Sequence, residues 1–498
     1  MIVKVNGNVK PYYVQTIAMI FFPGAKFPEN EEITPDTVVL TLDMDENADG
    51  VRSFVTIAQG ETSVSDGAEV LWSKSDDRDH VRKLSSGEAL LKVGAKFTGY
   101  TPPWGILTGV RPAKVASELF ERGYTPEEAA AVIAEEYFVT EKKSKLAAAV
   151  AASEAKLATD AARRECSVYV GIPFCPTRCA YCSFVSYTSP NLLKLIPDYL
   201  TALARDIDNI FSTIRELDMN VATIYIGGGT PTILTPDQLA FLLSKIREHC
   251  TSMGTCVREF TVEAGRPDTI TADKLTTLAR YGVDRISVNP QSLNDEVLKS
   301  IGRAHDTEMF FRAYETAKAS GIRNINVDLI AGLPNDTVDS FRNTIDRIVA
   351  LDPENITVHT FSVKRSAELR SEGVFDRSGD IAAASVDYSQ TVLPESGYLP
   401  YYMYRQKNTV GNLENVGYAK EGHEGLYNVY MMEEVHSIFA AGASAMTKFV
   451  SLPTETGVRI ERVAEPKYPY EYLRDHDGET GQHRRDLLKQ SALEFFGK

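Results

Sequence analysis

Through the middle of the chain, apolar residues follow two patterns that take turns. Short runs rich in β-branched residues read as buried strands at Val168–Ile172, Ala222–Ile226, Glu259–Glu263, Arg285–Asn289, Asn324–Ile330 and Asn355–Phe361. Between them apolar positions recur at helical spacing: Leu192–Leu217, Pro236–His249, Ala272–Tyr281, Asp295–Ile301 followed by Glu308–Ala319, and Val338–Leu351. Repeated strand–helix units imply a parallel sheet with right-handed crossovers. A closed barrel of this class has eight strands. Six strands therefore predict an α/β fold built on an incomplete barrel, with ligands at the C-terminal strand ends.

The flanks read differently. Residues 1–162 hold no cysteine and form an expected N-terminal α+β accessory domain. Its strands are Met1–Val5, 37–42 and Val51–Ile57, separated by acidic, turn-rich segments. Thr125-Pro126-Glu127-Glu128 is a helix start, with Thr as N-cap, Pro at N1 and Glu at N3. An alanine-rich helix over 142–164 leads into the central domain, 163–378. The remainder, 379–498, is expected to cover the barrel mouth as a substrate or lid domain and to end in a charged helix, Glu471 to Phe496.

Composition excludes some classes. A formal net charge of −15 disfavours a broad phosphate-binding surface, so no nucleic-acid partner is expected. The start, Met1 to Asn6, lacks a secretory pattern, and the apolar run Ile17 to Pro23 is too short to span a bilayer. Six scattered cysteines do not make a disulfide framework and fit a reducing, cytoplasmic setting.

Three of those cysteines carry the chemistry. The first central strand runs into Pro173-Phe174-Cys175-Pro176-Thr177-Arg178-Cys179-Ala180-Tyr181-Cys182-Ser183-Phe184, a Cys-x3-Cys-x2-Cys spacing. Thiolates this close in sequence can converge on one metal centre. Closed zinc sites and closed iron–sulfur clusters usually take four protein ligands. Three thiolates on a cubane cluster leave one iron open. The alternative is a zinc knuckle with Cys166 as fourth ligand, but Cys166 lies before the strand, at its far end. Polar residues also stand at other strand ends. Gly227-Gly228-Gly229-Thr230-Pro231 follows the second strand, where glycines let a ligand approach and free peptide groups can bond it. Glu263 ends the third strand, Gln291 follows the fourth and Asp328 lies in the fifth. Arg303 is a candidate carboxylate clamp.

The cysteine motif resembles the signature of the radical S-adenosylmethionine (SAM) superfamily. Together with Ile226-Gly227-Gly228-Gly229-Thr230-Pro231-Thr232, Gly302-Arg303-Ala304-His305 and Asp328-Leu329-Ile330-Ala331-Gly332-Leu333-Pro334, it resembles the oxygen-independent coproporphyrinogen III oxidase family. The extra N-terminal domain, with its Leu107-Thr108-Gly109-Val110-Arg111-Pro112 turn, is similar to that family's long HemZ-type branch, the coproporphyrinogen dehydrogenases. The resemblance implies that Cys175, Cys179 and Cys182 ligate a [4Fe-4S] cluster. It puts Tyr169 beside the sulfonium of SAM. It assigns the methionine end to Gly228, Gly229, Thr230, Glu263 and Arg303, the ribose side to Gln291 and Asp328, and the adenosine to Tyr181 and Ser362. Tyr169 and Glu263 are the implied catalytic pair. The implied reaction is radical conversion of coproporphyrinogen III to protoporphyrinogen IX, with a flavodoxin- or ferredoxin-type protein as electron donor. A substrate with four carboxylates needs cations, and Arg178, Lys364-Arg365 and Tyr404-Arg405-Gln406-Lys407-Asn408 are the candidates. Two departures support a second reading, a haem-binding chaperone-like protein without turnover. Phe184 stands where decarboxylases of the family often have cysteine. The haem-chaperone relatives carry an HNxxYW motif; the nearest match here, Tyr427-Asn428-Val429-Tyr430, has tyrosine for its haem-ligand histidine, with His423 just upstream.

Overall fold

The computed structural model describes residues 1–498 except 29–31, 110, 159–163, 183–185, 363–378, 407–408, 453 and 455–456. Val110, Ser183, Phe184, Lys364, Arg365, Lys407 and Asn408 thus lie outside the described residues. The chain divides into two compact units, one of residues 1–152 and 403–414, the other of 153–402 and 415–498.

The first unit is built on β1 (Ile2–Asn6), α1 (Pro11–Phe21), β2 (Val39–Glu46), β3 (Gly50–Gln59), β4 (Thr62–Leu71) and α2 (Arg78–Thr98). The strands form one sheet in sequence order, β1 parallel to β2 and the rest antiparallel. Alternation buries one face of β2 and β3, so that Leu40, Leu42, Val55 and Ile57 meet Val14 and Ile17 of α1 and Leu90 and Val93 of α2. Helices α3 (Pro112–Glu121), α4 (Pro126–Tyr137) and α5 (Glu141–Leu157) follow. The expected capping box at α4 is present, Thr125 and Glu128 each bonding the other's backbone. Trp104 is fully buried and donates to Glu414 Oε2 at 2.6 Å, while Lys143 Nζ lies 2.5 Å from Glu414 Oε1. Arg405 stacks over Trp104 and donates to the Leu107 carbonyl. The proposed basic–aromatic run therefore loses its arginine: Arg405 is buried within this unit's own packing, because its fork satisfies carbonyls there.

The second unit carries β5 (Glu165–Ile172), α6 (Pro190–Leu193), α7 (Ile196–Glu216), β6 (Asn220–Gly228), α8 (Pro236–Met253), β7 (Glu259–Val262) and α9 (Ala272–Arg280). Then come β8 (Arg285–Ser287), α10 (Asp295–Ser300), α11 (Thr307–Ala319), β9 (Asn324–Ala331), α12 (Val338–Leu351) and β10 (Asn355–Thr360). Strands β5 to β10 pair in chain order and all in parallel, with helices between them. This is the α/β class and the six-stranded partial barrel expected from the apolar pattern. The predicted helix Leu192–Leu217 is instead two helices, α6 and α7, with Pro197 in the first turn of α7.

The C-terminal segment adds α13 (Asp380–Glu395), β11 (Leu399–Arg405), β12 (Glu414–Ala419), α14 (Leu426–Met432), β13 (Ser437–Ala441), β14 (Met446–Val450), β15 (Ile460–Ala464), α15 (Pro469–Leu473) and α16 (Glu479–Phe496). Its strands extend the barrel sheet at both edges, giving among the described residues the order β11-β12-β10-β9-β8-β7-β6-β5-β13-β14-β15. β13 runs parallel to β5, pairing Ser437 with Cys166 and Ala441 with Val170. Tyr199 of α7 fixes that junction, donating to the Gly171 carbonyl at 2.7 Å and accepting from Ala443 N at 2.9 Å.

Candidate active site

β5 ends at Ile172 and the cysteine loop begins. Two backbone bonds close its base, Cys175 N to the Tyr187 carbonyl at 3.1 Å and Tyr187 N to the Pro173 carbonyl at 2.9 Å. A third, Ala180 N to the Ile301 carbonyl at 3.0 Å, pins the loop beside Arg303. Cys175 is buried, whereas Cys179 and Cys182 are half-buried. Cys166 is buried at the opposite end of β5, as expected. Among the described residues, no three His, Cys, Asp or Glu side chains gather closely enough to enclose a single metal ion.

The glycine run after β6 packs directly on this loop. A Cβ at Gly229 would stand 2.6 Å from the Phe174 carbonyl oxygen and 3.0 Å from Cys175 Sγ, so only glycine fits. Thr230 is buried, with Oγ1 3.2 Å from Cys175 Sγ. The peptide groups of the run are not the free donors the sequence suggested. Gly229 N and Thr230 N donate to the Ile172 and Phe174 carbonyls, both at 2.8 Å, and Gly228 N donates to Glu263 Oε2 at 3.3 Å. What the run can still offer a ligand is carbonyl oxygen.

Glu263, just past β7, also accepts from the Tyr225 hydroxyl. Burial pushes its carboxyl up to about 7 against that hydrogen bond, and the Asp328 carboxylate adds to the rise. Tyr225 is sandwiched between Tyr169 and Tyr427, with ring centroids 6.2 and 4.5 Å away and nearly parallel planes. Gln291 follows β8 with φ +69°, its amide Oε1 buried and without a hydrogen-bond partner. Its backbone is clamped to β9, N to the Asp328 carbonyl at 3.1 Å and carbonyl to Ile330 N at 3.0 Å. Asp328 accepts from Asn289 at 2.7 Å and from Asn326 at 2.6 Å, with His359 Nε2 3.8 Å away. Burial would raise its carboxyl, but the nearby His359 and the Asn326 and Thr357 side chains hold it below the usual range.

Arg303 donates from Nη2 to the Tyr181 hydroxyl at 2.8 Å, while its buried Nε and Nη1 have no partner. His305 is buried nearby; burial, then Arg303, pull it down to about 4, so its ring is neutral. Ser362 lies just beyond β10, at the same end of the sheet as the other strand-end residues. Contacts thus link the cysteine loop, the glycine run, Glu263, Arg303 and Tyr181, and separately join Gln291 to Asp328. Sequence reasoning misses Tyr225, Asn289 and Asn326, and names Tyr427 only as the tyrosine in place of a haem-ligand histidine. Their one available signal was position: Tyr225 and Asn326 alternate with apolar residues along strands that otherwise read as continuously buried.

Residues 169–348 match the radical SAM superfamily. The chain is 41% identical over 379 residues to the oxygen-independent coproporphyrinogen-III oxidase-like protein HemZ of Bacillus subtilis, covering 75% of each chain. It is 30% identical over 310 residues to the heme chaperone HemW of the same organism, covering 61% of this chain and 77% of that one. The fold matches the solved structure of coproporphyrinogen III oxidase (HemN) from Escherichia coli, a radical SAM enzyme, with a TM-score of 0.50 at 22% identity over 70% of this chain and 82% of that one. Radical SAM membership implies SAM and a four-iron cluster as cofactors. The chain belongs to the radical SAM superfamily and, within it, to the family of oxygen-independent coproporphyrinogen-III oxidase-like proteins.

Proposed function

We propose that this chain oxidatively decarboxylates two propionates of coproporphyrinogen III to vinyl groups, giving protoporphyrinogen IX. One observation carries the reading: the three-cysteine loop and the half-unpaired, buried Arg303 guanidinium meet at the C-terminal ends of the barrel strands. Thiols on one short loop suit a [4Fe-4S] cluster held by Cys175, Cys179 and Cys182. The free Nε and Nη1 of Arg303 suit a carboxylate, and Glu263 with the carbonyls of Gly228 and Gly229 suits an ammonium, Thr230 closing the run against Cys175. Those are the two ends of an amino acid. Gln291 Oε1 is an acceptor for a ribose hydroxyl, oriented by its clamp to the Asp328 backbone; Tyr181 and Ser362 would flank the adenosine, and Tyr169 the sulfonium.

When bound and reduced, these cofactors would supply the radical chemistry that takes one hydrogen atom from the β-carbon of a propionate. The substrate would then shed carbon dioxide, pass one electron to a one-electron acceptor and keep a vinyl group. The chain's own task is placement and exclusion of water. Arg303 orients the amino acid, Glu263 holds or releases a proton at its carboxyl, and the tyrosine stack walls the cavity. Arg178, exposed between the cysteines, is the candidate cation for a substrate carboxylate. In this reading residues 1–162 are an accessory domain, 163–378 the catalytic barrel and 379–498 the substrate-side domain. A small cytoplasmic flavodoxin- or ferredoxin-type protein delivers the electron. No helix of the described residues is long and apolar enough to cross a membrane.

The haem-carrier reading has less support. Tyr427, at the position of the relatives' ligand histidine, is buried in the stack, and its N–H donates to Glu259 at 3.1 Å. His423 Nδ1 is 2.7 Å from Asn324 Oδ1, and its carbonyl accepts from Arg285 and Asn355. The test is anaerobic incubation of reconstituted protein with coproporphyrinogen III, SAM and a reductant, followed by mass spectrometry. Vinyl products formed in step with 5′-deoxyadenosine are expected. Unchanged substrate beside active SAM cleavage would sink the decarboxylase reading, and tight haem binding in that case would favour the carrier.

A further inference from the structure

Arg266 has no part in the site described so far, and no motif marks it. It follows Gly265, just after Glu263, and is 4% exposed. Asp268 grips its guanidinium from one side, with Nε to Oδ1 at 3.1 Å and Nη2 to Oδ2 at 3.2 Å. That bidentate grip fixes the plane of the fork. The remaining nitrogen, Nη1, faces the cysteine loop. It donates to the Thr177 carbonyl at 3.2 Å and to Cys179 Sγ at 3.6 Å. The backbone under Arg266 is stitched to the glycine run as well. Thr269 Oγ1 donates to the Arg266 carbonyl at 2.9 Å, and Thr232 Oγ1 donates to the Ala264 carbonyl at 2.9 Å. Lys274 Nζ spans the Thr232 and Thr269 carbonyls at 2.6 and 3.1 Å.

A permanently charged group has thus been buried, oriented by its own carboxylate and aimed at one sulfur. Burying an arginine is costly, and Asp268 alone would satisfy only one side of it. The side left over meets the loop that the proposed function assigns to the cluster. Thiolates leave such a centre negative, and reduction by one electron makes it more so. A cation and an N–H donor at a ligand sulfur favour the reduced state, because charge and hydrogen bonds to sulfur set cluster potentials.

We propose that Arg266 is a positioning residue for the cysteine loop and a tuning residue for the redox centre bound there, raising its midpoint potential through Cys179. This rests on the radical SAM reading of Cys175, Cys179 and Cys182. Asp268 aims the fork and, as an anion, partly offsets its charge.

The two side chains therefore make predictions of opposite sign. The experiment uses the full chain, loaded anaerobically with iron and sulfide, with iron content measured and the midpoint potential taken from an EPR-monitored redox titration. Arg266→Gln is expected to lower the potential by the equivalent of about tenfold in the reduction equilibrium, about 59 mV for one electron. Asp268→Asn, which keeps the guanidinium and removes the anion, is expected to raise it. A general loosening of the loop would move both variants the same way, and that result, or equal potentials in all three proteins, overturns the proposal. Should Arg266→Gln take up no cluster, Asp268→Asn decides by its sign: a rise supports the proposal, no change or a fall overturns it. Failure of the underlying reading looks different. There the unmodified chain takes up no more iron than a variant with all three cysteines changed to alanine.

Discussion

Burial gives Glu263 its pH response. With its carboxyl at about 7, the folded chain keeps a proton there that the unfolded chain releases near 4.3. Between those values the folded state binds more protons, so rising pH removes stability across that window. A ligand ammonium reverses the preference, because it favours the carboxylate. Binding of SAM should therefore expel a proton below pH 7 and tighten as pH rises toward 7. Titration calorimetry in two buffers of different ionisation enthalpy reads this directly. Glu263→Gln should bind more weakly and release no proton; equal apparent heats for the unmodified chain in both buffers would refute the assignment. Gly229 makes a steric prediction. Alanine there places a methyl 2.6 Å from the Phe174 carbonyl and 3.0 Å from Cys175 Sγ. Overpacking of this kind costs about 1–3 kcal/mol. Gly229→Ala should stay folded by circular dichroism yet lose most of its iron uptake, since the displaced neighbour is the cysteine loop itself.

Elements differ in how much of themselves they write into sequence. The barrel strands were legible because a parallel strand covered on both faces becomes a continuous apolar run. β4 was not: Thr62-Ser63-Val64-Ser65-Asp66-Gly67 is an edge strand of small polar residues, with too little apolar alternation to read. α2 was hidden by its own packing. Gly87 and Gly94 break the helical signal, yet a Cβ at Gly94 would lie 2.5 Å from the Phe21 ring, so glycine is what lets α1 and α2 approach. The site divides in the same way. Cysteines, a glycine run and a strand-end glutamate announce themselves by residue type. Tyr225 and Arg266 do not, because partners arrive from other segments and only the fold brings them together. One long-range pair predicts a stability effect. Lys143 on α5 neutralises Glu414 at the start of β12, and despite burial it holds that carboxyl below the usual range. Lys143→Met removes one partner of a buried ion pair, which costs about 3–5 kcal/mol. Urea unfolding should show that loss at neutral pH. The loss should shrink as pH falls and Glu414 takes up a proton, since the pair's contribution exists only above its carboxyl's titration.

Across the whole molecule, segments far apart in sequence share one sheet. β13 lies beside β5, with Tyr199 bonded to both the Gly171 carbonyl and Ala443 N. The strand that launches the cysteine loop is therefore braced by residues some 270 positions later, as in the Cys166–Ser437 pair. Nothing in the local pattern of either segment signals that pairing, which is why the C-terminal part reads from sequence as a cover and not as sheet. The fold and the free thiols of the cysteine loop fit a radical SAM protein. The proposed chemistry needs three cysteines to hold a cluster with one iron left for SAM. EPR of the reduced, reconstituted chain, with and without SAM, tests it most directly. Expected are about four irons per chain, a cluster signal that shifts when SAM is added, and loss of both in the Cys175→Ala, Cys179→Ala, Cys182→Ala variant. A signal indifferent to SAM, or iron uptake that survives removal of the three sulfurs, would contradict it.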